Sequence, residues 1–173
     1  MLSIIAIAFG AIFVGTDWIY NVLQPFIGPF ANEALFGLWI MAGPLSIFLV
    51  RLKGSAVIGE VLAAFAEVLF GGTFGAAALI SGLVQGFGSE LGFLMYGYKK
   101  WNWTSLITSA VMVTVISFGY ELFRLGYVHY SLSMMVALFM VRLLSDIIFG
   151  VTLVKVIYAM LLRANVMTAE VQK

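Results

Sequence analysis

The 173-residue sequence has no cysteine, one histidine and three prolines, and only 10% of its residues are charged. Without cysteine there is no disulfide, no thiolate nucleophile and no cysteine-based metal site. The lone imidazole, His129, leaves too few ligands for a zinc-dependent active site. A net charge of +1 offers no basic face to a phosphate backbone, so no nucleic-acid partner is expected. Neither a phosphate-cradling loop nor a His-Glu helix motif occurs. The nearest approach to a nucleophile elbow, Gly86-Phe87-Gly88-Ser89-Glu90, lacks its final glycine. No catalytic residue, resident cofactor or metal is expected, and ATP, if it drives any step, must be bound by another subunit. What abounds is apolar: 63% of the residues are hydrophobic, against roughly 45–50% in soluble domains. This composition belongs to an integral membrane protein in contact with the lipid bilayer.

A bilayer crossing needs about 20 mostly apolar residues. The hydrophobic pattern predicts an all-α bundle of six transmembrane helices, with one domain over 1–173. The first span runs from Leu2 to Tyr20; it lacks the basic start and cleavage site of a signal peptide. A connection holding Pro25 and Pro29 follows, up to Asn32, because two prolines so spaced do not continue a helix. Span two covers Glu33 to Val50, with a kink expected at Pro44. Span three is Ser55 to Phe70, followed by a Gly71-Gly72 turn. Span four is Thr73 to Tyr98, span five Thr104 to Phe123, and span six Leu132 to Leu162. The last is longer than a bilayer requires and should tilt or protrude. Arg51, Lys53, Lys99, Lys100, Arg163 and Lys173 fall on one side of this arrangement and Arg124 on the other. The positive-inside rule then makes both termini cytoplasmic.

Ionisable groups inside spans cost roughly 2.5–3.5 kcal/mol each, so each requires an explanation. Arg142 and Asp146, four apart in span six, are expected to neutralise each other. Lys155 can snorkel to the nearby interface. Four glutamates then remain without a cation at comparable depth: Glu60 and Glu67 in span three, Glu90 in span four and Glu121 in span five. Either burial keeps these acids neutral or a bound cation balances some of them. Glu60 and Glu67 are seven apart and share a helix face with Ala56, Ala63 and Ala64. Thr114, Ser117 and Glu121 form a polar stripe on span five. Gln85 and Glu90 sit among glycines, but about 140° apart on a straight helix; they can share a cavity only if the glycines bend it. Trp39 and Tyr120 lie deeper than the interfacial aromatics Trp18, Tyr20, Trp101, Trp103, Tyr127 and Tyr130, which makes them candidates for stacking on a flat or cationic ring. Span one presents two small-residue faces, one with Ala6 and Gly10 and the other with Ala8, Ala11 and Gly15. One can pack internally and the other can dock a partner helix.

Three stretches raise the specificity of this reading. They are Gly59-Glu60-Val61 through Glu67-Val68-Leu69-Phe70-Gly71, then Gly82-Leu83-Val84-Gln85-Gly86-Phe87-Gly88-Ser89-Glu90-Leu91-Gly92-Phe93, and finally Tyr98-Lys99-Lys100-Trp101. Together they resemble the YkoE family, substrate-binding S components of energy-coupling-factor (ECF) vitamin importers. The resemblance implies uptake of thiamine or its hydroxymethylpyrimidine precursor across a bacterial cell membrane. It also implies a transmembrane coupling subunit and two ATPase subunits as partners. The first connection would act as a lid, with Asn32 closing over the ligand. Thiamine matches the residues in kind: a carboxylate for its thiazolium, aromatics for its rings, and an amide or carboxyl for its aminopyrimidine edge. The candidate ligand residues are Glu67, Glu90, Glu60, Glu121, Gln85, Trp39, Tyr120 and Asn32; the candidate coupling residues are Ala6, Gly10, Ala11 and Gly15. An alternative within the class takes another cationic or aromatic vitamin as ligand, and two readings of other classes compete. One is an intramembrane enzyme using Glu60 and Glu67 as acid and base, weakened by their separation of about 10.5 Å along the helix. The other is a channel-forming bundle, which would conduct ions without saturable vitamin binding.

Overall fold

The structure, a computed structural model, describes residues 1–164. Lys173, one of the basic residues in the topology argument, lies outside them. Among the described residues all regular structure is helical: α1 (Leu2–Ile27), α2 (Phe30–Trp39), α3 (Ala42–Val50), α4 (Ser55–Leu69), α5 (Ala77–Leu94), α6 (Trp103–Arg124), α7 (Leu132–Ser145) and α8 (Val154–Arg163). A short 3₁₀ turn spans Tyr127–His129, and a π-helical stretch, Asp146–Leu153, joins α7 to α8. Five helical stretches, one of them α2 and α3 taken together, are long and apolar enough to cross a membrane; α4, with 15 residues, is the short sixth member of the bundle.

Both proline expectations need correction in detail. α1 continues through Pro25 to Ile27, because a proline in the last turn costs only one hydrogen bond. Gly28, at φ 57°, ends the helix in a left-handed conformation that favours glycine. The first connection is therefore just Gly28 and Pro29, not a long lid, and Asn32 sits inside α2. Pro44 does more than kink its span. It has no N–H for the Ile40 carbonyl, and the helix breaks at Ile40 and Met41, separating α2 from α3.

Small residues let the helices approach closely. A Cβ on Gly10 of α1 would lie 2.5 Å from the Ala66 Cβ of α4, so the Ala6/Gly10 face packs inside the bundle. Ala11 and Gly15 are exposed, with nothing within 4 Å of a Cβ at Gly15. The glycines of α5 divide between two neighbours. Gly82 and Gly86 press against Ala64 and Val57 of α4, while Gly88 and Gly92 press against Val113 and Ser109 of α6.

The basic connections meet at one end. Arg51 lies over the Trp101 ring and donates to the Tyr158 hydroxyl, Lys53 lies over Tyr98, and Lys155 over Phe48. At the other end, here the cavity end, Thr73 meets Asp17 and Tyr127 meets Glu33.

Candidate functional site

The buried acids sort into three groups that differ in what surrounds them. At the basic end, Glu90 faces the first turn of α4, where free backbone amides and the helix dipole favour an anion. Its carboxylate accepts from the Gly54 N–H at 2.6 Å and the Ala56 N–H at 3.0 Å. Glu60, fully buried, accepts from the Gly43 N–H beside the α2–α3 break. Neither acid lines the cavity described below.

The second group surrounds Arg142. The sequence pairs this guanidinium with Asp146, and the structure does not. Arg142 donates instead to Glu33 through Nε and one terminal nitrogen, to Glu121, and to the Ser117 hydroxyl at 3.1 Å. Two acids from α2 and α6 thus meet one guanidinium whose fixed fork matches carboxylate geometry. The Phe36 ring stacks on it at 3.8 Å and Phe118 at 5.2 Å. Asn32 donates to both Glu33 and Glu121, at 3.0 and 3.2 Å, and the Tyr127 hydroxyl donates to Glu33 at 2.8 Å. Asp146, at the start of the π-helical stretch, lies 2.6 Å from the Thr114 hydroxyl. The expectation that Glu121 lacks a cation is thereby overturned. Helix position alone hid this pairing, since Glu33 opens span two and belongs to a different helix.

The third group borders a cavity at the cavity end, with about 420 Å³ of empty space including its open part. Its walls are Phe13 of α1, Asn32, Phe36 and Trp39 of α2, and Ala64 and Glu67 of α4. Phe74 of the α4–α5 connection, Ala78, Ser81 and Gln85 of α5, and Glu121 and Arg124 of α6 complete it. Trp39 and Phe74 meet edge to face, with centroids 5.6 Å apart at 84°, and Tyr20 packs against both. Arg124 stands 3.5 Å from Glu121 and donates to Ser81. Glu67 is buried and has no ion pair among the described residues. Behind Trp39 lies Asp17, near the end of an otherwise apolar span, where nothing in the sequence marks it as a site residue.

Of the eight sequence candidates, Glu67, Glu121, Gln85, Trp39 and Asn32 line this cavity; Glu60, Glu90 and Tyr120 do not. The α5 glycines do not bring Gln85 and Glu90 into one site. Gln85 faces the cavity and Glu90 faces the α4 N-terminus, as their angular separation requires. Tyr120 is half-buried beneath the Arg124 guanidinium.

Comparison with known proteins agrees with this geometry. Residues 1–116 match the family described as ABC-type cobalt transport system, permease component. YkoE of Bacillus subtilis (strain 168), provisionally named an HMP/thiamine permease protein, is 32% identical over 145 residues, 84% of this chain and 73% of that protein. A solved structure described as an S-component of an ECF transporter superposes with a TM-score of 0.92 at 30% identity, covering 95% of this chain and 84% of the other. A multi-pass membrane chain so matched in sequence and in fold is a transport subunit and not an enzyme, and it belongs to the S components of energy-coupling-factor transporters.

Proposed function

We propose that the chain binds thiamine in the cavity bordered by Glu67 and Trp39 and delivers it inward with a transmembrane coupling subunit and two ATPase subunits. The observation that carries this reading is the combination in one cavity lining: a buried carboxyl without an ion pair, crossed Trp39 and Phe74 rings, and Gln85. A thiazolium is a permanent cation that a carboxylate balances, aromatic rings suit its flat faces, and an amide can pair an aminopyrimidine edge. The provisional name of the Bacillus subtilis relative supports a ligand of this class. Asn32 sits at the junction of the cavity and the Arg142 cluster, where it can sense ligand without a long lid.

With Ala6 and Gly10 packed internally, Ala11 and Gly15 form the span-one face on which a coupling helix can dock. Both termini and the basic connections lie toward the cytoplasm in this reading, so the cavity loads from outside.

The test is a titration of the purified chain in detergent with thiamine and, separately, with hydroxymethylpyrimidine, followed by tryptophan fluorescence and calorimetry. Saturable quenching by thiamine is expected. Response to the pyrimidine alone reassigns the ligand, and no response to either up to millimolar concentration refutes the reading. Paired Ala11→Trp and Gly15→Trp substitutions are expected to abolish uptake in a reconstituted transporter while leaving thiamine affinity intact.

A further inference from the structure

Asp17 is fully buried on α1, has no ion pair among the described residues, and does not line the cavity. A carboxylate at such a place is costly and calls for a purpose. Its hydrogen bonds reach two separate elements. One oxygen accepts from the Trp39 indole N–H of α2 at 3.0 Å. The other accepts from the Thr73 backbone N–H at 2.8 Å, with the Thr73 hydroxyl at 3.4 Å. Thr73 precedes Phe74, so the two elements that Asp17 fastens are those carrying the crossed rings of the cavity wall. The preceding Gly72 leaves no room between this segment and the wall: a Cβ there would stand 2.6 Å from the Glu67 Cγ and 3.1 Å from an Asp17 oxygen. The same carboxylate thus holds the connection down against Glu67. Tyr20, one turn along α1 from Asp17, fills the space behind both rings.

We propose that Asp17 is a positioning residue that, through the Trp39 indole N–H and the Thr73 amide, holds the Trp39 ring and the Gly72–Phe74 segment as walls of the ligand cavity without touching the ligand. The proposal rests on the reading of that cavity as the ligand site. An indole turns about two side-chain bonds; one fixed acceptor for its N–H selects one orientation. A wall set before the ligand arrives spares the ligand the entropy of ordering it. Asparagine at position 17 keeps the shape but offers one oxygen to two donor groups, so one of the two ties is lost.

The experiment uses the full chain carrying Trp18→Phe, Trp101→Phe and Trp103→Phe, which leaves Trp39 as the only tryptophan, excited selectively over the tyrosines. In that background Asp17→Ala is expected to shift the ligand-free Trp39 emission and to increase its quenching by acrylamide. Asp17→Asn, the variant less disturbing to folding, moves both readouts in the same direction by less. Thiamine affinity is expected to fall about ten-fold for Asp17→Ala. In a Trp39→Phe chain the same substitution costs much less, because the indole tie is already gone. Unchanged ligand-free emission in both Asp17 variants overturns the proposal. So does unchanged affinity despite a shifted emission, or an equal affinity loss with and without Trp39. If the parent binds neither thiamine nor hydroxymethylpyrimidine, the ligand reading falls, and the emission measurement by itself decides whether Asp17 holds Trp39.

Discussion

The two ends of α4 carry acids of one kind in opposite circumstances. Toward the basic end, Glu60 and the neighbouring Glu90 are held by backbone N–H groups at a helix break and a helix N-terminus. Toward the other end, Glu67 meets side chains and a cavity. A backbone amide cannot leave its carboxylate without unfolding the helix end that carries it. A carboxyl at a cavity wall can exchange its neighbours for a ligand. The difference shows why burial of an acid inside a membrane protein does not by itself mark a ligand site: the kind of donor decides. The Arg142 cluster stands between these cases, a closed network whose edge, Asn32 and Glu121, forms part of the cavity.

The largest expected effect comes from opening the closed network. Arg142→Met removes the one buried cation among the described residues and leaves Glu33 and Glu121 facing each other, so stability is expected to fall by about 3–5 kcal/mol. Thermal unfolding in detergent and the yield of monodisperse protein measure this; parent-like unfolding would mean the two acids are satisfied without Arg142. Next is the cavity acid. Glu67→Gln keeps the shape and removes the charge, and thiamine affinity is expected to fall about ten-fold or more while the unfolding temperature stays near the parent's. An unchanged calorimetric titration would show that Glu67 does not balance the ligand's charge.

Glu90→Gln should give the reverse pattern at a smaller size. One amide oxygen cannot serve both the Gly54 and Ala56 N–H groups, so stability is expected to drop by about 1–2 kcal/mol with thiamine affinity unchanged. A drop in affinity at intact stability would place Glu90 in the ligand's path and erase the contrast between the two ends. The smallest effect is expected for Tyr120→Phe, since the ring lies under Arg124 and outside the cavity. Titration of this variant alongside the parent should give superimposable curves.

The sequence by itself determined that the chain lives in a membrane, because no soluble core could use so many apolar residues, and it determined the six helical stretches, because their lengths follow from bilayer thickness. It also determined which spans carry acids and that the basic connections gather at one end, and its Glu-x6-Glu and Gly-Leu-Val-Gln-Gly motifs pointed to the right transporter family. The pairing of Arg142 was decided only by the tertiary structure. Position along a helix suggested Asp146, but the packing of α2 against α7 brings Glu33 beneath the guanidinium with better geometry. The fate of Glu60 and Glu90 was likewise invisible, because their donors are backbone amides freed by a break and a helix start on other segments. The role of Asp17 is of the same kind: its partners, Trp39 and Thr73, lie 22 and 56 residues away. Hydropathy is a property of each segment alone and can be read along the chain; the partner of a buried charge is a property of two or three segments at once, fixed only when small residues such as Gly10 let their helices close together.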